Sequence, residues 1–188
     1  MKSISKFIEN KLKLVVNREK SKVALSKYVQ FLGMTIIAGT IAISAQSINK
    51  AMQKVKELTP RGTHLTLEQT IDSINKWYGG WANYYSMTQY PSQLKKIEAH
   101  IRRRLRARII DQQKKRRYLF NNLTKRGVSE ALAAWTVFSN RKRWDMSHTR
   151  AVERAYPNRY FIEDLGLKIK SNLELPYWFN IRKWIKVT

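Results

Sequence analysis

Residues 91–117 read PSQLKKIEAHIRRRLRARIIDQQKKRR. Leu94, Ile97, Ile101, Leu105 and Ile109 recur every three or four residues, the spacing of one helix face, and Tyr90-Pro91-Ser92 interrupts the chain just before, with Ser92 placed to cap. If that stripe faces a core, Arg102, Arg103, Arg106 and the cluster Lys114, Lys115, Arg116 and Arg117 project outward, where they can follow a phosphate ladder. From Lys95 to Arg126 the chain carries thirteen basic residues, including Lys95, Lys96, Arg104 and Arg108, against Glu98 and Asp111, a net +11 over 32 residues. A charge run is ordinarily a solvated helix face. Here the sign is nearly uniform, so neighbours repel until a polyanion neutralises them, which points to nucleic acid.

The same period extends upstream. Thr66-Leu67-Glu68-Gln69 offers a capping box, and Leu67, Ile71, Ile74, Tyr78, Trp81 and Tyr85 form the stripe of a long helix behind it. Ile48, Met52, Val55 and Leu58 predict another helix from Ser47 until Pro60 stops it, with Pro60-Arg61-Gly62 as connector. Gly79-Gly80 would cost about 1 kcal/mol per residue inside a helix, so the pair predicts close approach of another backbone or of RNA. Trp81, Tyr85 and Tyr78 read as core; Asn83 and Tyr84, off the stripe, are placed to hydrogen-bond or stack with nucleotides.

The first 46 residues differ. Ile4, Phe7, Ile8 and Leu12 predict a short amphipathic helix from Ser3 to Leu12. Asn17-Arg18-Glu19-Lys20 reads as a turn into a buried strand carrying Phe31-Leu32-Gly33. Val23, Leu25, Val29, Phe31 and Met34 to Ile37 predict two or three antiparallel strands ending near Ile43. So small a lead presents unpaired edges and needs strands from elsewhere. Downstream, Gly127 closes a short helix, and Ser129 opens one through Leu132, Trp135 and Phe138. Thr149 to Tyr156 and Arg159 to Leu165, the latter ended by Gly166, read as further helices. The fold class is therefore mainly α, a small antiparallel β lead followed by a helical bundle.

Composition agrees with a folded, anion-seeking protein: 188 residues, 43% hydrophobic, with 37 Lys and Arg facing 13 Asp and Glu, a formal +24. Ile36 to Ala45, the longest apolar run, falls well short of the roughly 20 residues of a membrane span, so a membrane partner is not expected. There is no cysteine, and His64, His100 and His148 lack metal-ligand spacing, so no metal site is expected. Without a secretory signal at the start, the expectation is a cytoplasmic protein.

Asn17, Lys20 and Phe31-Leu32-Gly33 resemble the last palm motifs of group II intron reverse transcriptases. Leu58-Thr59-Pro60-Arg61, Leu67-Glu68-Gln69, Asn75, Gly80-Trp81-Ala82-Asn83-Tyr84-Tyr85 and the helix Ile101 to Arg106 resemble the maturase-specific domain X, which forms the thumb; Gly127 to Glu130, Trp144 to Ser147, Val152 and Asp164 to Leu167 resemble the C-terminal part of bacterial members. The resemblance implies a palm remnant over 1–46, domain X over 47–126 and a helical extension over 127–188. It implies structured intron RNA as partner, with an RNA–DNA duplex and a separate palm and fingers chain as further ones, and it adds Arg61 to the RNA-contacting set.

That family's polymerase chemistry uses Mg²⁺ held by an aspartate and a tyrosine-x-Asp-Asp motif. This sequence has no adjacent aspartates; Asp72, Asp111, Asp145 and Asp164 stand at unrelated spacing. No catalytic residue and no cofactor is therefore expected here, the Mg²⁺ belonging to the palm. The resemblance implies an RNA-binding fragment, or the C-terminal subunit of a split polymerase, inactive alone.

Overall fold

A computed structural model describes residues 2–17, 19, 21, 23–60 and 62–170. Helix α1 (Lys2–Lys11) leads into a 3₁₀ turn (Ser26–Tyr28) and three strands, β1 (Gln30–Phe31), β2 (Met34–Ile37) and β3 (Thr40–Ile43), paired antiparallel in that order. Both connections are two-residue turns with positive φ at each residue, 50° and 76° at Leu32-Gly33 and 48° and 76° at Ala38-Gly39. Such turns carry the right-handed twist that a hairpin requires. Two expectations fail here. Val23 and Leu25 are not in a strand, because the backbone coils into the 3₁₀ turn instead. Phe31-Leu32-Gly33 is not a buried strand: Phe31 ends β1 at 73% exposure, and Leu32-Gly33 is the turn.

The outer edge of β3 is closed by glutamines. Ile41 N donates to Gln89 Oε1 (3.0 Å) and Gln89 N to Ile41 O (2.9 Å). Ile43 N donates to Gln93 Oε1 and Gln93 Nε2 to Ile43 O, both at 2.9 Å. These amides do the work of a fourth strand.

Helices α2 (Ala45–Leu58), α3 (Leu67–Tyr84) and α4 (Pro91–Gln112) build the body. Ser44 caps α2 by accepting from Ser47 N, and the capping box of α3 forms, Thr66 Oγ1 accepting from Gln69 N (3.2 Å) while Gln69 Oε1 accepts from Thr66 N (2.9 Å). Ser92 is not the cap of α4. Pro91 already occupies the first helical position, where its missing N–H costs nothing, and Tyr90 precedes it without a side-chain cap.

Helices α5 (Arg116–Lys125), α6 (Glu130–Phe138), α7 (Arg143–Met146) and α8 (Arg150–Ala155), then a π-helical turn (Tyr160–Asp164), complete the chain. Gly127, at φ 81°, ends α5 in a Schellman motif, with Gly127 N donating to Thr124 O and Val128 N to Leu123 O. Helix α7 is a single turn, too short to show a period in the sequence.

One core runs through both halves. Ile71, Ile74 and Tyr78 of α3 and Ile97, Ile101 and Leu105 of α4 belong to the same buried cluster as Val137, Val152, Tyr156, Phe161 and Leu167. The last described segment is laced to α3: Asn75 donates to Gly166 O and accepts from Lys168 N, each at 2.8 Å, and Lys170 Nζ donates to Ala82 O and Asn83 Oδ1. Buried Glu98 accepts from Tyr78 Oη (2.7 Å) and from Lys170 N (2.9 Å). Burial, with Glu98 beside it, pushes the Tyr78 phenol far above its ordinary range, so it stays a donor.

Candidate nucleic-acid interface

Tertiary packing divides the basic residues into two classes. One class caps helices. Each α-helix leaves its last carbonyls unpaired and negatively polarised, and a guanidinium answers both deficits. Arg104 Nε donates to Thr59 Oγ1 (2.9 Å) and its Nη2 to Thr59 O (2.7 Å) at the end of α2. Arg143 donates to Asp111 O (2.8 Å) and Ile110 O (3.3 Å) at the end of α4, and Arg116 to Val137 O and Ser139 O, both 3.1 Å, at the end of α6. Arg106 Nε donates to Tyr156 O (3.0 Å) just past α8, and its Nη2 to Asn158 Oδ1 (3.0 Å). Arg108 is buried too but caps no helix end: it reaches Thr70 Oγ1, Leu65 O and Thr66 O around the start of α3.

The expected outward projection of Arg106 is thereby corrected. Arg106 is 7% exposed and Arg108 3%, because their carbonyl partners lie inside the fold. Burial lowers the Arg106 pKa, offset by Glu153 at 3.8 Å, while Arg102 lowers it further; the guanidinium remains charged.

The second class faces solvent or a cleft. Lys95, Lys96, Lys114, Lys115 and Arg117 are exposed, and Arg102 and Arg103 are half-buried. Lys96, His100, Arg102 and Arg103 line one wall of a cleft of about 580 Å³, closed by Met52 of α2, His148, Pro157 and Asn158. Its single carboxylate, Glu153, is shared by Arg106 (3.8 Å) and His148 Nδ1 (3.7 Å). Arg103 lies over the Trp144 ring, 4.3 Å from its centroid, and its buried Nε has no hydrogen-bond partner among the described residues. Burial, then Arg104 and Arg103, lower the His100 pKa and favour the neutral ring. A space with this lining can take anionic oxygens.

A second cleft, about 530 Å³, joins residues far apart in sequence: Leu32 and Gly33 of the hairpin turn, Trp77, Trp81, Tyr84 and Tyr85 of the aromatic run, and Lys50 and Lys54 of α2. Trp81 and Tyr85 stand with centroids 4.7 Å apart, and Tyr84 and Tyr85 meet edge-on at 4.8 Å. Tyr84 Oη donates to Leu32 O (3.0 Å), and Ser47 Oγ to Gly33 O (2.9 Å). Asn83 and Tyr84 were expected to serve nucleotides; Asn83 Oδ1 accepts from Lys170 Nζ and Tyr84 Oη donates to Leu32 O, while Asn83 is exposed and the Tyr84 ring about half exposed. Gly79 and Gly80 are exposed, with nothing within 4 Å of where a Cβ would sit, so no backbone among the described residues explains them.

Asn17 is exposed, its carbonyl accepting from Ser21 N (3.0 Å). Lys20 and Arg61 lie outside the described residues, as does the stretch 171–188. Among the described residues no three His, Cys, Asp or Glu side chains gather as metal ligands, and no helix is long and apolar enough to cross a membrane. Sequence reasoning assigned no site role to His148, which joins α4 in the first cleft, or to Trp144, which packs under Arg103.

Residues 48–127 match the model of the group II intron, maturase-specific domain. No curated protein matches the chain.

Proposed function

We propose that this chain, whose residues 48–127 are a group II intron maturase-specific domain, is an RNA-binding module that grips the structured intron RNA in the cytoplasm and assists its splicing. The observation that carries this reading is the cleft that α4 of that domain lines with cations. Lys96, Arg102 and Arg103 border a space whose one carboxylate among the described residues is already shared by Arg106 and His148, an excess of positive charge that phosphate oxygens would balance. The exposed Lys114, Lys115 and Arg117 extend the positive surface past the end of α4.

The test is a filter-binding titration against the cognate intron RNA and an unrelated RNA across a salt series. Affinity should fall steeply with salt for both, and the intron should bind more tightly at every salt concentration. Replacing Lys96 with Ser and Arg103 with Gln should flatten the salt slope by about two, one for each phosphate no longer neutralised. Equal affinity for both RNAs rejects maturase action.

A second reading has its own observation. Phe7, Val15, Phe31, Leu32, Ile36 and Ile37 are exposed in the lead, Val15 at 96%. Exposed apolar side chains concentrated in one short segment suit contact with another protein. In this reading the lead docks on a separate palm and fingers chain, which supplies the Mg²⁺ and its carboxylates, while the helices hold an RNA–DNA template–primer duplex. Primer extension would then require both chains; extension by this chain alone would contradict both readings.

A further inference from the structure

Helix α6, EALAAWTVF, has one charged side chain in nine residues, so it is apolar on two sides. Ala133, Thr136 and Val137 are buried on one. Ala131, Trp135 and Phe138, at i, i+4 and i+7, share the other, with Trp135 58% and Phe138 57% exposed. Phe138 meets Phe120 of α5 at 5.9 Å between centroids, which widens the stripe into a shelf. The rim is cationic. The Arg141 guanidinium lies 4.1 Å above the Trp135 ring, and exposed Arg117 stands one turn before Phe120 on α5.

We propose that this shelf is a stacking platform for unpaired RNA nucleotides, with bases on Phe138 and on the face of Trp135 opposite Arg141, and phosphates at Arg141 and Arg117. Charge complementarity selects the occupant. An apolar stripe alone would suit a protein helix, but here it is bordered by cations, and a second copy of a +24 chain is repelled. Aromatic faces set among basic groups match the alternation of base and phosphate along a single strand. Trp135, Phe138 and Arg141 lie beyond the maturase-specific match and outside the α4 cleft, so the proposal stands apart from the intron-RNA reading.

The experiment uses the full chain, a fluorescent oligo-adenylate as unpaired RNA and a blunt RNA duplex as control. A Trp135→Ala, Phe138→Ser double variant should bind oligo-adenylate about ten-fold or more weakly, the loss of one or two stacked bases, and hold the duplex unchanged. Trp135→Phe, which keeps a π face, should recover most of the loss, with the thermal transition unmoved in both variants. Unchanged oligo-adenylate binding overturns the proposal. So does equal weakening toward both RNAs, and so does a change in the chain's own sedimentation, which would assign the shelf to self-association.

Discussion

Arg103 and Arg106 sit one helical turn apart on α4 and have opposite fates. Arg103 borders the cleft over Trp144, whereas Arg106 spends its guanidinium on Tyr156 O, Asn158 Oδ1 and Glu153. Arg106→Met should therefore cost about 2–3 kcal/mol of stability, the worth of charge-assisted hydrogen bonds plus an orphaned buried carbonyl, as read by urea denaturation. Stability equal to wild type would return Arg106 to the surface class. His100 adds a pH dependence. Its folded pKa lies below the ordinary 6.5, so the unfolded chain takes up the proton first. Its contribution is present above pH 6.5 and is lost as pH falls through the folded value. A thermal-melt series should show this acid loss, reduced in His100→Asn, while RNA affinity rises over the same range because protonation adds a charge to the cleft.

At the scale of elements, the hairpin depends on its packing against the end of α3. Gly33 has φ 76°, and a Cβ there would meet Tyr85 Oη and, at 2.8 Å, Ser47 Oγ. Gly33→Ala should cost about 1–3 kcal/mol, by left-handed backbone strain plus that collision. The expected signature is faster hydrogen exchange in β1, β2 and β3 with α3 and α4 still protected; uniform loss of protection would mean that the hairpin and helices unfold together. Helices α2, α3 and α4 were legible from their apolar spacing, the capping box of α3 and the stop at Pro60, because helix signals are local. The paired stretch 34–37 was legible too. The 3₁₀ turn at Ser26–Tyr28 was not, since β-branched residues favour a strand only where a neighbour pairs with it.

At the scale of the whole molecule, the family match ends at residue 127 and the core does not. Eleven of the twenty-four buried core residues among those described lie beyond it, from Val128 to Ile169, and they pack with Ile101 and Leu105. Arg143, the cap of α4, and the carbonyl held by Arg106 lie beyond it as well. A chain cut after Gly127 should lose its cooperative thermal transition and bind a hydrophobic dye, whereas a chain ending at residue 170 should melt cooperatively. A sharp transition in the shorter chain would make the extension an independent layer. The sequence by itself determined that this protein is mainly helical with a small β lead, which apolar stripes make the long helices, and that its charge is strongly positive, because period, capping and net charge depend on residue type and spacing alone. Only the tertiary structure decided which cations stay exposed. A guanidinium that caps another helix and one that faces a phosphate are the same residue in sequence, and they are told apart only by the carbonyls that folding brings within reach.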